Sequence, residues 1–535
     1  MEDLPARLRS VPDGRHTAPC MVAGLRSWAA AAPARTAVVD GARRLSFAAV
    51  HSRSNRLAGA LLASGLRPGD RVAVLLGNRL EYPEIAAGLG KAGLAMVPVG
   101  VRQTVPEIAF IAGHSAARAL IVQHDRAEEV SAAVPVDVVV RVGGPGPGRA
   151  YEDVLSQGRD ADPLVPVSGD DTFCVQYTSG TTGRPKGALL THAARTLTAR
   201  LSAHEWGLGE ERVSVAVAPM SHGAGFMFGY APLLTGGTVV MLPRWDPERL
   251  LDLAARERAQ SVFLVPTHAQ AIRDLGGNGP RGRDLSALDT LYFNAAALPV
   301  PLKEWVLDTF PGCGVHELYG STEGGVVTNL RPADARRKAG SVGRAWFRTR
   351  LRIVGDDGAE VATGEPGELF SRSPFLMKGY LDDPEASAAC RTADGFLSVG
   401  DVATMDEEGY VRIVDRKKDV IISGGLNVYP REVEEASLAH PDVAECAVVG
   451  VPDPLWGEVV TAYVVPRPGA APVGSEELAG FLRPLLAGYK LPRRVSTLTA
   501  LPRNSAGKVL KRELRRAAGA RTPPPEHPSH FPPPP

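Results

Sequence analysis

A chain of 535 residues is too long for one hydrophobic core and calls for about three packing units. Its 60 basic and 59 acidic residues are interspersed and leave a net charge of +1, so no long-range field draws it to nucleic acid or an anionic membrane. The five cysteines (Cys20, Cys174, Cys313, Cys390, Cys446) are far apart with no C-x-x-C pair, which argues against a disulfide framework or structural zinc.

Short apolar runs at 71–76, 95–99, 119–122, 213–217, 238–242, 261–265 and 290–293 predict strands, and the stretches 45–64 and 247–259 predict helices between them. This alternation implies an α/β fold with layered, largely parallel sheets. From about Gly343 the runs shorten and are punctuated by glycine (350–354, 367–372, 410–414), which predicts a smaller β-rich subdomain. A new unit starts near residue 419 and reads strand, helix (430–439), strand (444–449), strand (459–465), helix (475–487), a compact α+β pattern. The proline-rich segment 521–535 cannot form helix or sheet and is expected to be a disordered tail. With no signal-peptide pattern and no apolar run of about 18 residues, a cytoplasmic protein without a membrane span is expected.

The densest chemistry lies in Tyr177-Thr-Ser-Gly-Thr-Thr-Gly-Arg-Pro-Lys-Gly187, which follows the apolar run 172–177. Gly180, Gly183 and Gly187 let the backbone take positive φ and turn its N–H groups toward an anion. Thr178, Ser179, Thr181 and Thr182 add hydroxyl donors, and Lys186 adds a positive charge. The composition points to a nucleoside triphosphate. The spacing is not G-x-x-x-x-G-K-[ST], because Gly187 follows Lys186 and Lys186 stands three residues after Gly183, so GTPase-like or kinase-like chemistry is not expected. Gly144-Pro-Gly-Pro-Gly148 is a proline-broken loop rather than a dinucleotide fingerprint, and neither a G-x-S-x-G elbow nor an H-E-x-x-H pair occurs.

This loop resembles that of the superfamily of acyl-CoA synthetases, peptide-synthetase adenylation domains and firefly luciferase, which make acyl adenylates from a carboxylate and ATP. Tyr319-Gly-Ser-Thr-Glu323 resembles the superfamily's second core motif. The resemblance implies that Glu323 ligates Mg²⁺, that Thr322 bonds the α-phosphate, and that Tyr319 and Gly320 line the adenine site. Asn294, Ala295, Ala296 and Ala297 occupy the place of a small-residue turn that meets adenine and acyl group; they depart from the commonest pattern, and a packed strand end fits them equally. Asp401, after Gly400, matches the ribose-binding aspartate. The stretch from Asp406 to Pro430 is similar throughout, which implies a ribose or phosphate contact for Arg416, a hinge at Lys418 and a pantetheine tunnel bordered by Ser423, Gly424 and Gly425. Pro502-Arg-Asn-Ser-Ala-Gly-Lys508 resembles the terminal signature, with Lys508 as catalytic lysine.

The layout implied is an N-terminal adenylate-forming domain over 1–417, a small mobile α+β C-terminal domain over 418–520, and the tail. Pro219-Met-Ser-His-Gly-Ala-Gly-Phe226 stands where relatives place an acyl-pocket segment, with His222, Gly223 and Phe226 on one wall and Ala297 on the other. A structural role and a substrate contact are equally open to His222. The expectation is an AMP-forming acid–thiol ligase using ATP, Mg²⁺ and coenzyme A on a bulky hydrophobic carboxylic acid. Transfer to a carrier protein or partner enzyme, luciferase-like oxygenation and a ligand-binding pseudoenzyme are the alternatives.

Overall fold

The computed structural model describes residues 20–178, 185–424, 426–503 and 509–520. The expected α/β layering is present. One sheet of seven strands runs in the order Arg149–Ala150, Val138–Val142, Ala117–Gln123, Arg71–Leu75, Ala95–Val99, Thr172–Thr178, Lys186–Thr191. All its neighbours are parallel except the last pair. A second sheet has nine strands; its parallel centre runs from Gly314–Ser321 through Thr290–Phe293, Ser261–Leu264, Val213–Ala216 and Thr238–Met241 to Thr36–Asp40. Antiparallel strands flank that centre: Arg43–Ser46 at one end, Gly325–Leu330 and Arg344–Ala345 at the other.

The helix Gly223–Thr235 explains how the two sheets share a core. It is apolar on all sides and buried from Gly225 to Leu234, as a helix without a polar face must be. Phe226 and Phe228 point to opposite sides. Phe226 lies against Phe173 of the seven-stranded sheet and stacks on Tyr230, while Phe228 stacks on Phe263 and Tyr292 of the nine-stranded sheet. Asn78 adds a polar tie: its Nδ2 donates to the carbonyls of Ala216 and Ala218 at 3.0 Å each, and its Oδ1 accepts from the Met220 N–H at 2.9 Å.

Some element ends differ from the sequence reading. The helix expected over 45–64 spans Phe47–Ala63, because Arg43–Ser46 first pairs as an edge strand and Ser46 then caps the helix through Ala49 N–H. The helix expected over 247–259 stops at Arg256, and Arg258 takes a left-handed φ of 49°. The helix expected over 475–487 ends at Leu482. The β-rich stretch is a four-stranded sheet of Arg350–Val354, Gly367–Arg372, Asp401–Met405 and Val411–Arg416.

Two compact units result. The first runs through Arg352 and adds Phe370–Val399 and Met405–Arg412; the second holds Ile353–Leu369, Gly400–Thr404 and the chain from Ile413. In the second, Gly457–Pro466 pairs with Val443–Asp453, with Ile421–Ser423 and with Arg494–Thr497. Helices Pro430–Ser437 and Ser475–Leu482 close its core around Ile421, Val448, Val460 and Leu478. All five cysteines are free thiols. Among the described residues no helix is long and apolar enough to cross a membrane. The tail at 521–535 lies outside them.

Candidate active site

In the first unit the phosphate-loop residues are framed by an antiparallel strand pair in which Thr178 stands opposite Lys186. Ser179, Gly180, Thr181, Thr182 and Gly183 lie outside the described residues, but both flanks are placed. The Thr178 hydroxyl donates to Glu323 Oε1 at 3.1 Å, which joins the loop's first residue to a side chain 145 positions further on. Tyr380, which the sequence reading did not single out, donates its hydroxyl to the same oxygen at 2.9 Å. Lys186 Nζ sits 5.3 Å from the centre of the Tyr380 ring and pairs with Asp383 Oδ2 at 3.2 Å.

The tight antiparallel turn between Gly314–Ser321 and Gly325–Leu330 carries Thr322 and Glu323. Ser321 Oγ accepts the Gly324 N–H at 2.8 Å, and Gly325 turns at φ 68°. Glu323 is 8% exposed, so its charge faces a restricted environment. Gly320 has no room for a side chain, because a Cβ would run into the backbone of Gly325. Gly320→Ala is therefore expected to cost about 1–3 kcal/mol of stability and to disturb Tyr319 and Glu323 together. Denaturant unfolding paired with an ATP-binding titration checks both effects.

Asn294, Ala295, Ala296 and Ala297 leave the strand Thr290–Phe293 as a turn in which Ala295 and Ala296 are exposed. The Asn294 side-chain oxygen accepts the Ala295 N–H, and Ala295 adopts φ 70°, a left-handed conformation suited to glycine. His222 stands at the N-cap position of the helix Gly223–Thr235 without a capping bond from its side chain, and burial lowers its pKa, favouring the neutral imidazole. Gln176 ties this segment to the phosphate-loop strand by donating to the Ser221 carbonyl at 2.9 Å, and Arg195 donates to the Gly223 carbonyl at 3.1 Å. Phe226 is 2% exposed, its ring taken up by core packing.

In the second unit Asp401 and Arg416 come together. Arg416 Nε lies 2.9 Å from Asp401 Oδ1, and Asp401 is only 5% exposed. Gly400, at φ 78°, turns the chain here, and its carbonyl accepts the Lys417 N–H at 2.8 Å. Lys418 sits in a short 3-10 turn, Lys417–Asp419, where burial and then the neighbouring Arg416 lower its pKa. Ser423 is buried; Gly424 turns at φ 59°, and a Cβ there would meet the Trp456 ring at 2.9 Å. Gly425 and Lys508 lie outside the described residues. The chain on either side of Lys508 is clamped, with Arg503 bridged to Val509 and the Leu510 N–H donating to the Pro502 carbonyl at 2.8 Å.

Among the described residues the first-unit cluster gathers a carboxylate held by two hydroxyls and a lysine, groups suited to a polyphosphate and its metal. Mg²⁺ takes one or two carboxylates and completes its shell with substrate phosphates, so the single buried Glu323 fits that ion. A cluster of three or more His, Cys, Asp or Glu side chains suited to a resident metal is absent among the described residues.

Residues 25–381 match the family model described as AMP-binding enzyme, and 432–508 match the AMP-binding enzyme C-terminal domain. The chain belongs to the AMP-binding enzyme family, and its class is that of adenylate-forming acid–thiol ligases. It is 42% identical over 505 residues to a feruloyl-CoA synthase of Amycolatopsis sp., covering 93% of this chain and 99% of that one. It is 36% identical to an indoleacetate–CoA ligase of Aromatoleum aromaticum, covering 92% and 96%. Among solved structures it resembles the o-succinylbenzoate CoA synthetase of Bacillus subtilis in complex with its acyl-adenylate intermediate, with a TM-score of 0.81, 29% identity and coverage of 92% and 97%.

Proposed function

We propose that this enzyme activates a bulky hydrophobic carboxylic acid, an aryl acid first of all, with ATP and passes the acyl group to coenzyme A. The observation that carries the reading is the convergence of Thr178 and Tyr380 on Glu323 beside Lys186. In the first half-reaction a carboxylate oxygen attacks the α-phosphorus, the bond to the bridging oxygen of the β-phosphate breaks, and pyrophosphate leaves. Anions accumulate, so the rate depends on charge and donors fixed in advance. Lys186 serves the leaving phosphates, Thr322 donates to the α-phosphate, and Lys508 meets both the carboxylate and the phosphate oxygens. Mg²⁺ held by Glu323 would supply further neutralisation of the phosphates. Asp401 accepts from the ribose hydroxyls, with Arg416 as its ion-pair partner. In the second half-reaction the thiol sulfur of coenzyme A attacks the acyl carbonyl and AMP leaves; Ser423, Gly424 and Gly425 border the path of the pantetheine.

An aryl acid is supported by the ring-bearing acids in the names of the feruloyl and indoleacetate relatives. Gly223 and Ala297 take little volume on the candidate acyl walls, which suits a wide substrate. Neither 219–226 nor 294–299 carries an acidic side chain to pair with an amino-acid ammonium, and burying that charge unpaired costs several kcal/mol. The test compares kcat/KM for acetate, a long-chain fatty acid, a polycyclic acid, ferulate and indoleacetate in pyrophosphate exchange and in CoA-dependent AMP release. Ring acids are expected to exceed acetate by about 10²-fold or more, the scale of a few apolar groups in a pocket. Acetate or a free amino acid coming out best overturns the substrate class. Steady AMP release that ignores CoA and needs a carrier protein or partner enzyme reassigns the second step.

A further inference from the structure

The segment Met377–Asp383 is threaded between the two halves of the phosphate site. The Met377 N–H donates to the Glu323 carbonyl at 2.8 Å. Lys378 N–H then donates to the Leu189 carbonyl at 2.8 Å, Leu189 N–H to the Gly379 carbonyl at 2.9 Å, and Leu381 N–H to the Gly187 carbonyl at 2.7 Å. One short run of backbone is thus bonded both to the turn that carries Glu323 and to the strand that begins with Lys186. Its side chains repeat the link. Tyr380 gives its hydroxyl to Glu323 and its ring face to Lys186. Asp383 divides its two oxygens: Oδ1 caps the helix Pro384–Ala389 by accepting the Ala386 N–H at 2.9 Å, and Oδ2 holds Lys186.

We propose that Met377–Asp383 is a strap that presets the phosphate site, with Tyr380 orienting the Glu323 carboxylate and Asp383 holding Lys186 as a counter-ion that the triphosphate displaces. The proposal rests on the reading that Lys186 and Glu323 serve the phosphates of ATP. Two hydroxyls on one carboxylate oxygen fix the Glu323 head group about its terminal torsion, which a single contact would leave free. The Lys186–Asp383 pair is partly open, at 22% and 36% side-chain exposure, and a pair of that kind is weak enough for a polyanion to replace. The cap fixes Asp383 whether or not Lys186 is bound to it.

Tyr380→Phe keeps the ring and removes the donor; Asp383→Asn keeps the cap and removes the charge. Both are titrated calorimetrically with ATP across a series of Mg²⁺ concentrations, without acid substrate, and melting temperatures are recorded alongside. Tyr380→Phe is expected to raise the Mg²⁺ concentration for half-maximal ATP binding about tenfold or more, the scale of losing a hydrogen bond behind a metal-binding carboxylate. Asp383→Asn is expected to bind ATP about two- to fivefold more tightly, because a competing counter-ion is gone. An unchanged Mg²⁺ requirement in the first variant, or weaker ATP binding in the second, overturns the proposal, as does an effect confined to melting temperature. A wild-type protein that binds ATP yet exchanges pyrophosphate with no acid defeats the functional reading while leaving these binding comparisons decisive for the strap.

Discussion

Lys508→Ala is expected to slow adenylation about 10²- to 10³-fold while leaving thioester formation from a supplied acyl adenylate within a few-fold of wild type. The asymmetry follows from the charges. Only the first half-reaction brings a carboxylate against a phosphate and expels pyrophosphate, and an ammonium between them contributes most where negative charge concentrates. The contacts on either side, Arg503 with Val509 and Leu510 N–H with the Pro502 carbonyl, involve none of the Lys508 atoms that alanine removes. Pyrophosphate exchange measures the first step, and acyl-CoA formation from synthetic adenylate measures the second. Equal losses in both would remove Lys508 from its assigned role.

Lys418→Pro is expected to spare pyrophosphate exchange and to lower CoA-dependent turnover about 10²-fold, the cost of misplacing reacting groups by about an ångström. The reason is conformational. Lys418 is the second residue of the 3-10 turn Lys417–Asp419, and proline would lock its φ near about −65°. A backbone change at Lys418, which the family resemblance makes the hinge between half-reactions, is then blocked. Single-turnover measurements of adenylate formation and of its consumption by CoA separate the two steps. Normal acyl-CoA production by the variant would move the hinge elsewhere.

The candidate site was proposed from sequence because its chemistry is local there. Glycines, hydroxyls and a lysine fall within eleven residues, and Tyr319 to Glu323 are consecutive, the end of a strand and the turn that follows it. The alternation of short apolar runs with helical stretches likewise revealed the α/β layers, since parallel strands buried on both faces read as near-continuous apolar runs. Less visible were the ends of elements. Arg43–Ser46 carries two arginines and overlaps the start of the helix expected over 45–64, yet pairing with Thr36–Asp40 makes it a strand. Backbone partners decide such short edges, not their own composition.

What the sequence by itself determined is the inventory: a glycine- and hydroxyl-rich segment ending in Lys186-Gly187, a carboxylate within Tyr319–Glu323, the Gly400-Asp401 pair and a terminal lysine motif, all set by neighbours a few positions apart. Only the tertiary structure decided which of these meet. Glu323 is reached by Thr178 from 145 residues away and by Tyr380 from 57 residues away, and the Asp383–Lys186 pair joins segments that share no local pattern. One oxygen of Asp383 caps the helix Pro384–Ala389, while its second reaches Lys186 through the fold alone. Phe226 makes the same point in reverse, as an apolar residue beside a candidate pocket that packing between two sheets draws into the core. Periodicity and spacing record what a residue can do, while burial and long-range hydrogen bonds, which depend on the whole chain closing around it, fix what it does.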